Sequence, residues 1–500
     1  AAVEALELGR GLVLYTATAL ADLPSRLRAA GHGALAQEWE QAARTQGDRG
    51  GGMLPWDTED DLLTGAGPGN PRDPSGGDGA AGPPEPPVPS SLRHRALVAL
   101  ERSASHRALL DPPSVPAIAS AIRRTGRDAL AYLVPAGEGH GGYAILVAAG
   151  GSTALIPLPQ LTGKAGRQID AYAAAQQEAA RDGGDDQLRR EARFREALGT
   201  LCTWAWDAAV GPVLRRIRPW QQGELAELVL IPCGKLAAVP WHAARTGKPA
   251  GRRYALESAV LSYAASARQL TETAGRTFLP VGADAVIVAD PVSDSVWPTL
   301  EARYIRSAYY PGSLYLGSRA PCLATSARVL EQMPGRDTPG APMLHLSCHA
   351  MAASSPEHSY LRLAGDQPLR VRSILDRAQG RRSDAPGGLV ILSACMSDLT
   401  TRDYDEALTL ATSLLAAGAV GVVGSRWPIG DARTALLMFV FHDYLLKGKS
   451  PAAALRSTQL WMLNPDRVIP LRMPEGLAQE VPLHDLADES IWGAFAYQGH

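Results

Sequence analysis

The sequence predicts an α/β protein built on a doubly wound, mostly parallel sheet, and two observations carry that reading. Continuous apolar runs recur in the second half of the chain, at AVIVAD (Ala285–Asp290), MLHLSC (Met343–Cys348), LVILSAC (Leu389–Cys395) and AVGVVGS (Ala419–Ser425). Helical patterns such as 406–417 and 432–446 separate them. Strands that do not alternate polar with apolar are buried on both faces, and helical spacers let successive strands run parallel between two helical layers.

The elements follow in order. Apolar positions from Leu12 through Leu20, Leu27 and Leu35 recur at helical spacing, with Gly31 and Gly33 breaking the run, so 1–45 reads as a short helical arm. Since the chain opens at Ala1 inside a helical pattern, it reads as part of something longer. The stretch 46–91 is dense in Gly, Pro, Asp and Ser. It has too little apolar surface to offset its ordering entropy and reads as a disordered linker.

Residues 92–280 form a first α/β half. Helical stretches at 92–105 and 114–125 lead into DALAYLVP, YAILVAA and TALIPL, a strand meander, and a long helical stretch then precedes ELVLIP (Glu227–Pro232) and YALESAVLSYA. Residues 281–465 form the second half, and 466–500 is an extension with too little periodicity to assign.

Hydrophobic residues make up 46% and charged residues 20%, with a net charge of −2, so no global basic surface favours nucleic acid. Cys202, Cys233, Cys322, Cys348 and Cys395 are far apart, without CxxC spacing, which argues against a disulfide framework or structural zinc. No apolar run spans a bilayer and no signal peptide opens the chain; a reducing, cytoplasmic setting is expected, with no membrane partner. Neither cofactor nor metal is expected. His345 and His349 share a strand face, but no third ligand is evident.

In an open parallel sheet, chemistry gathers beyond the carboxyl ends of the strands. His349 follows MLHLSC and Cys395 closes LVILSAC, so two strands deliver an imidazole and a thiol to one rim. An imidazole near a thiol accepts its proton or stabilises the thiolate, and then protonates a leaving amine. The backbone N–H groups of Ala350 and Cys395 are candidate oxyanion donors. A strand-end cysteine is also commonly a small buried hydrophobe, and the residues alone leave that alternative open. Cys348, on the opposite strand face, reads as core. GAVGVVG lies inside an apolar strand and is not a dinucleotide fingerprint.

The ordered segments LHLSCHA, LVILSACMS, LLAAGAVGVVGSRWPIGD and SPAAALRSTQLWM resemble the CHAT family of caspase-like cysteine proteases, relatives of separases, caspases and gingipains. LVLIPCGKLAAVPWHAA and VADP are similar to its upstream signatures, and the N-terminal segment resembles the helices that join tetratricopeptide repeats to CHAT domains. The resemblance implies a caspase-like fold with a non-catalytic N-terminal half. It also implies a cysteine endopeptidase using His349 and Cys395 on a protein or peptide substrate, switched on by a partner or sensor domain in bacterial defence or regulated cell death. Ala350 stands where the family usually has Gly, and Met-Ser-Asp follows Cys395 where Glu/Asn-Thr is more frequent.

Caspase-like folds run the strand after the nucleophile helix along the bound peptide, which makes Ser425, Arg426 and Trp427 candidate substrate contacts. Asp398, Asp403, Asp405 and Glu406 are candidate acids for a basic substrate side chain, or solvated loop acids. A catalytically silent interaction module, and a thiol hydrolase or acyltransferase on the same fold, are the alternative functions.

Overall fold

The computed structural model describes residues 2–9, 27–28, 30–47, 92, 95, 99, 112–135, 141–180, 186–247, 251–293, 295–351, 359–365, 367–393 and 409–500. The chain divides into a large unit, Ala1–Thr18 with Pro112–His500, and a small one, Ala19–Asp111. In the small unit the helix Gly33–Gly47 buries Ala36 and Trp39 with Leu27 and Leu92. Arg95 there donates to both carboxylate oxygens of Glu38 at 2.8 and 2.9 Å. The Gly/Pro-rich stretch 50–91 lies outside the described residues.

The large unit is a mixed α/β body around one 11-stranded sheet. Its first half contributes β1 (Ala129–Val134), β2 (Gly142–Ala148), β3 (Thr153–Leu158), β4 (Ala226–Pro232) and β5 (Ala259–Tyr263). The second contributes β6 (Val286–Ala289), β7 (Leu314–Leu316), β8 (Met343–Ser347), β12 (Leu389–Leu392), β13 (Gly421–Ser425) and β14 (Phe495–Gly499). A separate small sheet holds β9 (His349–Met351), β10 (Tyr360–Arg362) and β11 (Leu369–Arg370). The main order is β3-β2-β1-β4-β5-β14-β13-β12-β8-β6-β7.

β1, β2 and β3 form the antiparallel meander, and β1 runs parallel to β4, β4 to β5 and β5 to β14. On the other side β13, β12, β8, β6 and β7 are all mutually parallel. The two parallel groups oppose each other, and among the described residues the antiparallel joint between them is β13 with β14. The last residues of the chain are thus the seam of the sheet. Its glycines follow from this: a Cβ at Gly421 would run into the Tyr497 ring across the joint, and Gly418 takes φ 121° to end the helix Leu410–Ala417.

Strand alternation sorts side chains between two faces. On one face Leu228, Ile287, Met343, Ile391, Val423 and Tyr497 belong to a single core that runs across both halves. Helices Val296–Tyr309, Asp431–Leu446 and Pro451–Leu463 contribute to that core. The opposite face is divided. Leu130, Val229 and Ile231 pack with helices Val115–Arg124 and Ala267–Thr273, while Val286, Leu344, Val390 and Val422 pack with Val371–Arg377 and Leu410–Ala417.

The N-terminal helix Ala2–Gly9 joins the first of these clusters through Val3 and Leu6. Buried Glu7 fixes it: its Oε1 accepts from Tyr132 OH and from Ala267 N, both at 2.9 Å, and its Oε2 accepts from Arg268 N at 3.1 Å. A carboxylate taking the first amides of a helix satisfies donors that have no partner within the helix.

Candidate active site

The site is assembled by strand register. β12 lies beside β8 with Leu389 opposite Met343 and Leu392 opposite Leu346, and beside β13 with Ile391 opposite Val423. Three neighbouring parallel strands therefore finish together. Ser347, Ser393 and Ser425 stand at their carboxyl ends and line one cleft with Cys348, His349 and Trp427.

His349 is half-buried and opens β9, which pairs antiparallel with β10, so that His349 stands opposite Arg362 and Ala350 opposite Leu361. β11 completes the small sheet as a hairpin partner of β10. Alternation turns the His349 side chain to the cleft, while Cys348 only borders it and, with Ala350, packs toward the core. Cys348 and Ala350 are buried in the core with Leu346 and Leu361.

The same alternation separates the three residues of the SRW segment. Ser425 and Trp427 line the cleft, whereas Arg426 is 4% exposed, donates to the Ala237 carbonyl and sits over the Tyr263 ring at 5.7 Å. Its backbone bonds tie the β13 end to the C-terminal segment and to the first half: Arg426 N donates to Ala494 O at 2.8 Å, and Arg426 O accepts from Gln176 Nε2 at 2.9 Å. Trp427 is held rigidly. Its Nε1 donates to Ser490 O at 2.7 Å, and its ring meets Phe194 and Tyr172 edge-on at 5.7 and 6.4 Å.

Cys395, Asp398, Asp403, Asp405 and Glu406 lie outside the described residues, which stop at Ser393 and resume at Thr409. There Thr409 and Thr412 form a reciprocal cap, Thr409 N to Thr412 Oγ1 at 2.7 Å and Thr412 N to Thr409 Oγ1 at 3.1 Å, and start the helix Leu410–Ala417.

One group at the cleft was not anticipated from the sequence. Glu301, from the helix Val296–Tyr309, lines the cleft although it is only 3% exposed. His345 Nε2 donates to Glu301 Oε1 at 2.8 Å. Behind it His442 Nε2 lies 3.2 Å from His345 Nδ1, and Tyr310 OH lies 2.9 Å from His442 Nδ1. A carboxylate only accepts, so the His345 proton that faces it is fixed on Nε2. Burial first, then His345, holds the His442 pKa well below the usual imidazole range, which keeps that ring neutral between His345 and Tyr310. The signal was present in the sequence as an acid on the stripe Trp297, Glu301, Ile305, Tyr309, where every other member is hydrophobic.

Cys202 and Cys233 are buried, and burial pushes the Cys202 thiol well up. Among the described residues no three His, Cys, Asp or Glu side chains converge on a metal-sized space, and no helix is long and apolar enough to cross a membrane.

The CHAT domain family model matches residues 199–500, more than half of the chain. Among solved structures, the chain is similar to Saccharomyces cerevisiae separase in its complex with securin, at 8% identity and a TM-score of 0.50, over 82% of this chain and 33% of that one. A complex of the pro- and mature domains of Porphyromonas gingivalis RgpB also matches, at 10% identity and a TM-score of 0.36, over 67% of this chain and 76% of that one. The fold likeness rests on separase, of which this chain spans about a third. No curated protein matches it in sequence.

Proposed function

The chain belongs to the CHAT domain family, and we infer that it is a cysteine endopeptidase whose catalytic pair is His349 and Cys395. The observation that carries this is the register of β8 and β12. Leu346 and Leu392 stand side by side, and His349 and Cys395 each follow three residues later in the sequence. A histidine turned into a cleft at that rim is what the chemistry requires.

In the proposed reaction the Cys395 thiolate attacks a peptide carbonyl carbon, forming a C–S bond while the carbonyl oxygen takes the negative charge. Backbone N–H groups of Ala350 and Cys395 are the donors assigned to that oxygen. Collapse breaks the C–N bond, His349 supplies the proton that leaves with the amine, and a thioester remains. Water then adds with His349 as base, and the acid product leaves as the thiol is regenerated. No cofactor takes part.

The substrate is a protein or peptide lying along the β13 end, past Ser425 and Trp427. Asp398, Asp403, Asp405 and Glu406 remain candidate contacts from the loop after the nucleophile. The domain reading keeps 281–465 as the catalytic half, 92–280 as its companion, and 1–45 and 46–91 as arm and linker. Activation by a partner or sensor domain, in bacterial defence or regulated cell death, belongs to the same proposal, as does a tetratricopeptide region upstream and a cytoplasmic setting.

The test is covalent labelling. A peptidyl acyloxymethyl ketone should add its mass to Cys395 in the purified chain, and a quenched-fluorescent peptide library should be turned over. Both signals should vanish in Cys395→Ala. Turnover that survives in Cys395→Ala would remove the thiol from the mechanism. Absence of labelling in the unaltered chain would instead favour a silent interaction module.

A further inference from the structure

We propose that the open face of the small sheet β9-β10-β11 receives acidic side chains of the substrate, within about the first three residues after the scissile bond. This deepens the protease reading and rests on it for the direction of the bound chain.

Register sorts the small sheet into two unlike faces. Ala350 stands opposite Leu361 and Leu361 opposite Leu369, and all three are buried in the core. The other positions form two rows on the opposite face, His349 with Arg362, and Met351 with Tyr360 and Arg370. This face meets solvent: Met351 is 50% exposed, Arg362 is exposed, and Tyr360 and Arg370 are half-buried.

The chemistry of the face selects a ligand. It carries two guanidinium groups, and none of its three strands holds an acid. Arg370 lies over the Tyr360 ring at 5.9 Å. A guanidinium laid on a ring meets a carboxylate with its edge N–H groups. Arg362 stands directly across from His349, with about 5 Å between their β-carbons, so a carboxylate that reaches it lies beside the imidazole. Met, Tyr and Arg are also the residue types enriched where a protein surface meets a peptide or protein partner. Two cations on a chain of net charge −2 offer little to a phosphate backbone, which favours an acidic peptide over nucleic acid.

Position determines which part of the substrate arrives. In the proposed reaction His349 protonates the departing amine, so the leaving fragment begins at His349, at one end of this face. The two rows lie two residues apart along the strands, about 7 Å, and an extended chain crosses that distance in two residues. The fragment therefore passes Arg362 first and Arg370 next.

The experiment uses two arms on the whole chain. In the first, a proteome-derived peptide library is digested and the cut sites are read by mass spectrometry. Asp and Glu should be enriched at least about threefold over the library in the positions just after the cut, and the double variant Arg362→Gln/Arg370→Gln should lose that preference. Cutting without enrichment, or enrichment that persists in the double variant, overturns the proposal and leaves the protease reading intact.

In the second arm, fluorescence anisotropy at low salt compares fluorescein-labelled heptaglutamate, heptaglutamine and an oligothymidylate of equal length. Heptaglutamate should bind the unaltered chain at least about tenfold more tightly than either of the others, and the double variant should lose the difference. Equal binding of the two peptides, tighter binding of the oligonucleotide, or a difference that survives in the double variant overturns the proposal. The probe comparison on the unaltered chain decides the matter if the double variant does not fold. If no peptide is cut and iodoacetamide does not modify Cys395, the protease reading fails, and the anisotropy arm still decides whether this face reads acids.

Discussion

Each half of the sheet sends a histidine beyond the carboxyl end of a parallel strand, and the two have opposite fates. His242 follows β4 and is buried. Its backbone N–H donates to Tyr263 OH at 3.0 Å, its Nδ1 lies 2.8 Å from the same hydroxyl, and its Nε2 lies 2.8 Å from Gly493 O. A carbonyl only accepts, so Nε2 carries the proton and Nδ1 accepts from Tyr263. Burial and the nearby Arg426 hold the pKa of His242 down at about 3. His349 follows β8, is half-buried, and faces a cleft. Both nitrogens of His242 are committed, Nδ1 to Tyr263 of β5 and Nε2 to Gly493 just before β14. The lesson is that a strand-end position supplies the opportunity for chemistry, while the neighbours decide whether an imidazole is enclosed or faces a cleft.

The largest expected effect breaks the comparison at the open histidine. His349→Ala should slow peptide turnover by about a thousandfold and cost less than about 1 kcal/mol of stability. His242→Ala should do the reverse. It leaves the Tyr263 hydroxyl and the Gly493 carbonyl unpaired and opens a cavity, for about 2–4 kcal/mol in urea unfolding. If the two variants lost stability equally, the division of roles would be wrong.

A smaller effect is the pH dependence of stability. The unfolded His242 ring takes up a proton near its ordinary 6.5, whereas the folded ring resists until about 3. Protons therefore bind preferentially to the unfolded chain in that window. Stability is fully present above pH 6.5 and falls as pH drops toward 3, by about 1.4 kcal/mol per pH unit for this group. His442, also lowered by burial, acts in the same direction. Urea midpoints measured across this range should fall with acid, and His242→Gln should flatten the slope.

The smallest effect sharpens what holds the first half together. Glu7→Ala removes the acceptor for Tyr132, Ala267 and Arg268. It should cost about 1–2 kcal/mol and speed hydrogen exchange in 2–9. Unchanged exchange there would mean that Val3 and Leu6 alone dock the helix.

Much of the sheet was legible in the sequence because its strands are uninterrupted apolar runs. β1 to β6, β8, β12 and β13 fall within segments whose pattern predicted them. β7 was missed because three residues, LYL, show no period. β14 was missed for a different reason. FAYQG ends a stretch rich in turns, and Gln498 interrupts its apolar pattern, yet all five residues are buried because strands close on them from both sides.

The cleft was legible in part. His349, Ser425 and Trp427 line it, while Arg426 is turned to the other half by strand alternation. Glu301 stood out in the sequence only as an acid on an apolar helix stripe, and nothing local tied it to the site because its partner His345, and His442 behind that, come from elements far along the chain.

The sequence by itself determined the fold class, the strand series and the placement of a histidine at a strand end, since apolar pattern and chain order are local properties. Only the tertiary structure decided the pairing of β13 with β14, the burial of His242 and the turning of Glu301 into the cleft. Those depend on which distant surfaces meet, and long-range packing leaves no period in the chain.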